Sequence, residues 1–392
     1  MKASRRRILA DLVCHVLQAI LPASLRPWGW AIRCETTGIK DDTRALLFAL
    51  DSLRGLLPQA VVTHLLHCVA SLTGHAAPFG GGSITMSIHD HMMRRPRAVG
   101  IACAVGGVAL GLVYMAIAGA PGLYLGMNVG ALMVGLAALA LLGRLNIDGR
   151  YWQGGAFLVT AAALLATALF GTKVDGAARW VHLGGLSIQP SLILLPVMLV
   201  AFAQNRNALM TAGMMAAIMA MALQPDRAMA GMAALGLTTL AMRRPDRHTI
   251  PACLGGVAGL ALTLARADTL PAAPYVEQIF YTSFATNAVA GMAVVGGAAL
   301  LLVPAIVGWL HDPASRATYA VFGAVWGAAI LAAALGNYPT PVVGYGGSAI
   351  IGYALCLLTL PRVASTGIGV QHHRRYREEN MPIDGDLRVG MA

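Results

Sequence analysis

Acidic side chains are the first place to look for chemistry in this sequence, because residues 98–362 contain few of them. Seven occur there: Asp148, Asp175, Asp226, Asp246, Asp268, Glu277 and Asp312. A carboxylate can act as a general base that activates a hydroxyl group. Asp268 and Asp226 are the two candidates for that catalytic role. The commoner alternative for Asp268 is a solvated loop residue. For Asp226 it is a helix cap or an ion pair with Arg179 or Arg227.

Three polar segments between long apolar runs carry the other candidate residues. They are "GAARWVHLGGLSIQPS", "LQPDRA" and "PTPVVGYGGS". Proline at the end of a helix frees carbonyl groups that must find partners, and glycine lets another backbone or a ligand approach closely. We therefore expect a substrate-binding or structural role for Arg179, Trp180, Gln189, Pro190, Ser191, Gln224, Pro225, Pro341, Tyr345, Gly346, Gly347 and Ser348.

The composition identifies a membrane protein with many spans. Of 392 residues, 57% are hydrophobic and 11% are charged, whereas soluble domains carry about 25% charged residues. The apolar runs predict an all-α polytopic fold with about ten transmembrane helices. These lie near 98–119, 122–143, 154–171, 189–204, 207–223, 228–242, 249–266, 286–310, 316–335 and 347–361. The net charge of +11 does not indicate a nucleic-acid partner, because the basic residues cluster at the ends of apolar runs.

The distribution of basic residues predicts how the chain is oriented. One set of connections contains Arg144, Arg150, Arg206, Arg243, Arg244, Arg247 and Arg316. The opposite set contains only Lys173, Arg179, Arg227 and Arg266. Because cytoplasmic connections are enriched in Lys and Arg, both termini are predicted to be cytoplasmic. The three polar segments then face the outside, together with the acidic residues Asp175, Asp226, Asp268 and Glu277.

Three regions are predicted along the chain. Residues 1–96 form a small cytoplasmic helical region and linker, in which Leu46, Leu50, Leu53 and Leu57 share one helical face and Asp41 or Asp42 caps the helix. Residues 97–362 form the transmembrane domain, and 363–392 a disordered cytoplasmic tail. The spacing of His64, His67 and Cys68 is more typical of packing than of metal binding, so no metal site and no cofactor are predicted.

The order of the polar segments resembles that of the SEDS family, which includes FtsW, RodA and SpoVE. The similarity extends over about 98–362 and includes the number of spans. It implies a peptidoglycan glycosyltransferase of the bacterial cytoplasmic membrane, which polymerises lipid II on the outer face beside a transpeptidase or another division or elongation protein. A divalent cation would be needed only if the protein were catalytic.

The sequence departs from the family pattern where the chemistry is expected. The family has Glu after Gln-Pro-Ser, where this chain has Leu192, and Ser where it has Gly344. Most of the loop that bears the family's catalytic Asp is missing before Leu270 and Pro271. We therefore predict a degenerate relative of the lipid II glycosyltransferases that acts in peptidoglycan synthesis, cell division or cell-shape control, with membrane lipid or a lipid-linked precursor as its ligand. The alternatives are an active minimal glycosyltransferase and a transporter or lipid-binding protein on the same scaffold.

Overall fold

The structure is a computed structural model, mostly helical, that describes residues 4–22, 25–56, 95–144, 150–174, 177–184, 186–266 and 272–361. The predicted tail 363–392, the triplet His64, His67 and Cys68, and the candidates Asp175 and Asp268 lie outside the described residues.

The described part of the N-terminal region contains three helices: α1 (Arg5–Ile20), α2 (Arg26–Gly38) and α3 (42–56). Asp41 caps α3, as predicted, by accepting hydrogen bonds from the backbone N–H groups of Thr43 and Arg44. The predicted apolar face of α3 is partly wrong. Ala45 and Ala49 form the buried side, and Leu50 is 43% exposed. The two alanines pack against α1 because their small side chains allow the helices to approach closely.

Twelve further helices follow in the remainder of the described chain. They are α4 (Pro96–Ile117), α5 (Gly122–Leu142), α6 (Arg150–Phe170), α7 (Pro190–Gln204), α8 (Ala208–Leu223), α9 (Arg227–Arg243), α10 (Thr249–Leu264), α11 (Ile279–Thr286), α12 (Ala288–Leu300), α13 (Val303–His311), α14 (Arg316–Leu335) and α15 (Gly347–Cys356). Short 3₁₀ turns occupy Pro313–Ser315 and Leu357–Thr359.

Four helical segments of the described chain are long and apolar enough to cross a membrane. They are Pro96–Ile117, Gly122–Leu142, Ala288–His311 and Pro313–Leu335. Five more apolar helices are shorter than 18 residues. A straight crossing takes about 20 residues. The protein is therefore a helical membrane protein, and the count of ten spans stays a prediction.

One end of the helical bundle carries a small antiparallel sheet, and we call it the sheet end. Its strands are β1 (Thr172–Val174), β2 (Ala177–Leu183) and β3 (Leu186–Ile188), with β2 in the centre. Val181 pairs with Ile188, which places the last residue of the sheet directly before the Gln-Pro turn of α7. The sheet was not predicted, because two of its three strands have only three residues and the sheet lies between two strongly apolar helices.

Polar contacts join neighbouring helices at the sheet end. Arg227, at the start of α9, donates a hydrogen bond to the carbonyl oxygen of Thr263 near the end of α10. Arg266, just beyond α10, donates to the carbonyl oxygen of Ala222 near the end of α8 at 3.1 Å. These arginines satisfy carbonyl groups that helix ends leave without an intrahelical partner.

The opposite end of the bundle gathers arginines, and we call it the arginine end. Arg206 forms an ion pair with Asp246 at 2.8 Å. Arg243 lies over the Trp309 ring, with 4.2 Å between the guanidinium carbon and the ring centroid. Arg244 donates a hydrogen bond to the carbonyl oxygen of Ala314 at 3.2 Å, so residues of three connections of the predicted inner side lie together in the folded chain. The orientation of this end toward the cytoplasm stays a prediction.

Small residues bring α7 and α15 into close contact in the core. Gly352 on α15 packs directly on the backbone of α7, where an added Cβ atom would overlap the carbonyl oxygen of Leu192. Close helix packing of this kind is typical of membrane bundles. The contact holds the sheet-end segments that precede α7 and α15 next to each other, and these segments form the candidate site.

Candidate functional site

Two Gln-Pro turns meet at the sheet end, one before α7 and one before α9. The Gln189 side chain donates from Nε2 to Oδ2 of Asp226 at 2.9 Å and to Oγ of Ser191 at 3.1 Å. Ser191 donates to the same Asp226 oxygen at 3.4 Å. All three side chains are buried, with at most 7% exposure. The sequence suggested that both turns matter, and the structure shows that they form one hydrogen-bonded cluster.

Both oxygens of the Asp226 carboxylate accept hydrogen bonds from the protein. Its Oδ1 atom accepts from the backbone N–H of Met229 and so caps α9, while Oδ2 accepts from Gln189 and Ser191. Asp226 is 1% exposed. The helix-cap alternative considered for this residue is therefore observed. Three of the roughly four acceptor positions of this carboxylate are occupied by protein donors, which favours a structural role over a catalytic one.

Arg179 connects the sheet to the second Gln-Pro turn. It lies on β2 and is 5% exposed, and its guanidinium donates to the carbonyl oxygen of Pro225 at 2.6 Å. This hydrogen bond goes to the residue before Asp226, and the contact with Asp226 that the sequence led us to expect stays a prediction. Proline at this position frees carbonyl groups of the turn, and an arginine is well suited to bind one of them.

Gln224, the glutamine of the second Gln-Pro turn, holds that turn against another helix. Gln224 is completely buried, and its Nε2 atom donates to the carbonyl oxygen of Leu164 on α6 at 3.1 Å. Pro190 begins α7 at the first helical position, where its missing N–H would have no intrahelical acceptor. The candidate residues of both turns thus have structural contacts.

The Gly-rich segment before α15 joins this cluster. Ser348 accepts a hydrogen bond from the backbone N–H of Gln189 at 3.0 Å. Asn128, a completely buried residue of α5, donates to the carbonyl oxygen of Gly344 and accepts from the N–H of Gly346. Sequence reasoning missed Asn128. The available signal was an amide side chain within an apolar span, where an unsatisfied polar group is costly.

Tyrosines cover the other side of the Gly-rich segment. Tyr345 stacks on Tyr124 with ring centroids 3.9 Å apart, and its hydroxyl donates to the Met127 sulfur. Burial raises the pKa of Tyr345, and the neighbouring Tyr124 phenol adds to the effect. The backbone N–H of Tyr345 donates to the carbonyl oxygen of Tyr275 at 2.7 Å. Pro341 and Gly347 lie on either side of Tyr345 in the sequence. Gly347 starts α15, and Pro341 precedes a turn in which Val342 has a positive φ of 67°.

A small cleft lies directly over the cluster. Its volume is about 20 Å³, which is close to the space that one water molecule needs. Trp180, Leu192 and Glu277 line it together with Arg179 and Asp226. Leu192 is 5% exposed and packs in the main core. An ionisable glutamate at this position, as the resemblance expects, would lie at the cleft. The leucine makes that wall apolar.

Glu277 is the other described acidic residue at the cleft. Its Oε2 atom accepts a hydrogen bond from the backbone N–H of Ala273 at 2.8 Å. Groups of three or more His, Cys, Asp or Glu side chains with metal-binding geometry do not occur among the residues that the structure describes.

A larger, apolar cavity adjoins the cleft. It has a volume of about 690 Å³ and lies between α9, α10 and α14. Its walls include Gly231, Leu235, Leu260 and Leu331, and polar groups of Arg227, Asn337 and Tyr338 line its sheet end. The two spaces share Ala228 and Tyr338 as wall residues. This arrangement suits a ligand with an apolar chain and a polar head.

Comparison with known proteins gave a family match and several structural similarities. Residues 112–262 match the model of the FtsW/RodA/SpoVE family, described as cell cycle proteins. The rod shape determining protein RodA of Thermus thermophilus is 22% identical over 65% of this chain and 92% of its own, with a TM-score of 0.47. An aspartate-to-alanine mutant of that RodA is 23% identical over 65% and 93%, with a TM-score of 0.48.

A third solved structure concerns polymerization and crosslinking by a peptidoglycan synthase complex. The matching chain is 22% identical over 66% of this chain and 94% of its own, with a TM-score of 0.47. No curated protein matches the sequence. The family match includes the sheet and both Gln-Pro turns, and it confirms the resemblance read from those segments. Residues 112–262 thus carry the sequence pattern of the FtsW/RodA/SpoVE family of cell cycle proteins.

Proposed function

We propose that this protein is a non-catalytic member of the FtsW/RodA/SpoVE family that acts in peptidoglycan synthesis by binding a lipid-linked cell-wall precursor. The match to the family supports the process. The observation that carries the non-catalytic part is the engagement of Asp226, because both of its oxygens accept hydrogen bonds from the protein itself. The apolar wall that Leu192 contributes supports the same conclusion.

The larger cavity supports the binding part of the proposal. An apolar chain fits the space between α9, α10 and α14, since its lining is mostly aliphatic. A phosphate-bearing head fits the sheet end of this same space, where Arg227, Asn337 and Tyr338 supply polar groups and a positive charge. The proposed location is the bacterial cytoplasmic membrane with the sheet end outside. The proposed partner is a transpeptidase or another division or elongation protein.

Polymerisation and binding are tested separately on the full-length protein in lipid nanodiscs. Incubation with labelled lipid II is expected to give no glycan polymer on a gel, while an active glycosyltransferase serves as the positive control. Binding of fluorescent lipid II to the same nanodiscs is expected to be saturable. Polymer that forms with this protein and disappears in Asp268→Ala would replace the proposal with the minimal-enzyme alternative.

A variant that fills the larger cavity tests whether lipid II binds there. Gly231 lines the large cavity, so Gly231→Phe is expected to weaken lipid II binding at least tenfold. Gly130 on α5 is exposed and has no atom within 4 Å of an added Cβ, so Gly130→Phe is the matched control and is expected to bind normally. Equal binding by both variants would exclude this cavity, and absence of binding by the unmodified protein would exclude the ligand.

A further inference from the structure

The N-terminal region has an apolar surface that its own packing leaves uncovered. One side of α1 is buried inside the region and carries Ala10, Cys14, Leu17 and Leu21. The opposite side carries a second apolar stripe, formed by Ile8 (56% exposed), Leu9 (48%), Leu12 (56%) and Val16 (42%). Spacings of three and four residues put these side chains on one helical face. We call them the α1 stripe. A solvated face normally carries polar residues, so this stripe has a partner.

The neighbouring helix adds two exposed tryptophans. Trp28 and Trp30 on α2 are 63% and 67% exposed. Tryptophan is enriched where proteins meet the interface between lipid and water, since its ring is apolar and its N–H is polar. The helix is held against α1 by hydrogen bonds from Gln18 to the Gly29 carbonyl oxygen and from Cys14 to Thr36. The tryptophans and the α1 stripe thus belong to one packed unit.

The net charge of the N-terminal region and its connection to a membrane helix indicate the partner of the α1 stripe. The described part of residues 4–56 has eight basic and five acidic side chains, and exposed Arg6 and Arg26 lie on the two helices concerned. The next described helix, α4, begins at Pro96 and is long and apolar enough to cross a membrane. Residues 57–94 connect the two, and a chain of that length reaches at most about 130 Å when fully extended. The unit is therefore always close to a bilayer.

We propose that α1 and α2 form a membrane-docking unit, which inserts the α1 stripe into the interface of an anionic lipid surface. The basic residues face the lipid phosphates, and the apolar side chains of the stripe enter the region between headgroups and acyl chains. Compared with a second copy of the chain or another protein, lipid explains together the exposed apolar stripe, the nearby exposed tryptophans, the excess of basic charge and the connection to a membrane helix.

Spin labels on single cysteines in the otherwise cysteine-free, full-length protein test the proposal. The protein is placed at one copy per nanodisc containing phosphatidylglycerol and phosphatidylcholine. A label at Leu12→Cys is expected to collide more with oxygen, which partitions into lipid, than with a water-soluble nickel chelate. A label at Val16→Cys, one turn further along the α1 stripe, provides a second position. In nanodiscs of phosphatidylcholine alone, the preference for oxygen is expected to fall at least twofold at both positions.

Leu47→Cys is the matched control. Leu47 is an apolar residue of α3 with 61% exposure, similar to Leu12, but it lies beside the charged side chains of Asp51 and Arg54. Its label is expected to stay accessible to the nickel chelate in both lipids. Identical accessibility at positions 12 and 47 would overturn the proposal. So would protection of position 12 from both reagents, which indicates a protein cover, or protection that appears only with two copies per nanodisc.

Discussion

Gln189 and Asp226 lie 37 positions apart and are joined by a hydrogen bond of 2.9 Å from the amide Nε2 to the carboxylate Oδ2. The bond joins the start of α7 to the start of α9. It occurs between residues that are both buried, so neither group has water as an alternative partner. The sheet-end cluster is consequently a structural unit whose stability can be measured without knowing its ligand.

Removing the carboxylate is expected to destabilise the protein. Asp226→Ala leaves the Gln189 amide without its acceptor and α9 without its cap, so the free energy of unfolding should fall by about 2–3 kcal/mol. Asp226→Asn combined with Gln189→Glu reverses donor and acceptor and is expected to recover part of the loss. Thermal unfolding in detergent measures both. Full stability of Asp226→Ala would show that the cluster contributes nothing.

Protein stability is expected to depend on the shape of the Arg179 side chain as well as on its charge. Its donor atom binds the Pro225 carbonyl oxygen, and a carbonyl does not provide a charge to reverse. The double change Arg179→Asp with Asp226→Arg cannot re-form the bond to Pro225, so it should recover at most part of the unfolding temperature that Arg179→Asp loses. Arg179→Lys should retain part of the stability. Full restoration of the unfolding temperature by the double change would show that the two side chains interact mainly through charge.

The contact between α7 and α15 predicts a large effect of one methyl group. Gly352→Ala places a Cβ atom against the Leu192 carbonyl oxygen, and overpacking of this kind costs about 1–3 kcal/mol. Gly327→Ala on α14, where no atom lies within 4 Å of the added Cβ, is the matched control and should be neutral. Unfolding temperatures in the same detergent compare the two. Equal values would mean that the helices separate easily.

Low pH is expected to destabilise the arginine end. Burial alone would raise the pKa of Asp246, but hydrogen bonds from the N–H groups of Thr249 and His248 and the Arg206 guanidinium outweigh it and lower the pKa from 3.8 to about 2. A depressed carboxylate pKa stabilises the folded state above the unfolded pKa, and this contribution is lost as pH falls toward 2.

The difference in unfolding temperature between the unmodified protein and Asp246→Asn should therefore be constant above about pH 5 and shrink from pH 4 to pH 2. A difference for Asp246→Asn that does not change with pH would contradict the assignment.

The orientation of the bundle can be tested at the sheet. His182 is an exposed residue of β2, so His182→Cys in a cysteine-free protein should react with a membrane-impermeant maleimide in intact cells. Arg247→Cys, at the exposed arginine end, should react only after the membrane is permeabilised. The reverse pattern would invert the predicted topology.

Much of the site could be predicted from the sequence because local chemistry determines it. Proline, glycine and glutamine between apolar runs indicate helix ends with free carbonyls, so both Gln-Pro turns and the Gly-rich segment were found. Asp226 as a cap also follows from local pattern, since Asp before a helix commonly accepts from its first turn. Membrane class and the grouping of arginines follow from hydropathy and charge, which act on each segment independently.

Tertiary structure decided what these segments contact. The partners Asn128 for the Gly-rich turn and Pro225 for Arg179 depend on how helices from distant parts of the chain pack. The uncovered α1 stripe is also a tertiary result, because the sequence shows an apolar helix on both sides and only packing determines which side α2 and α3 cover. Helical periodicity wrongly predicted that Leu50 is buried, because several faces of a short apolar helix satisfy the same pattern. The face that packs most closely against the neighbouring helices is the one that is buried.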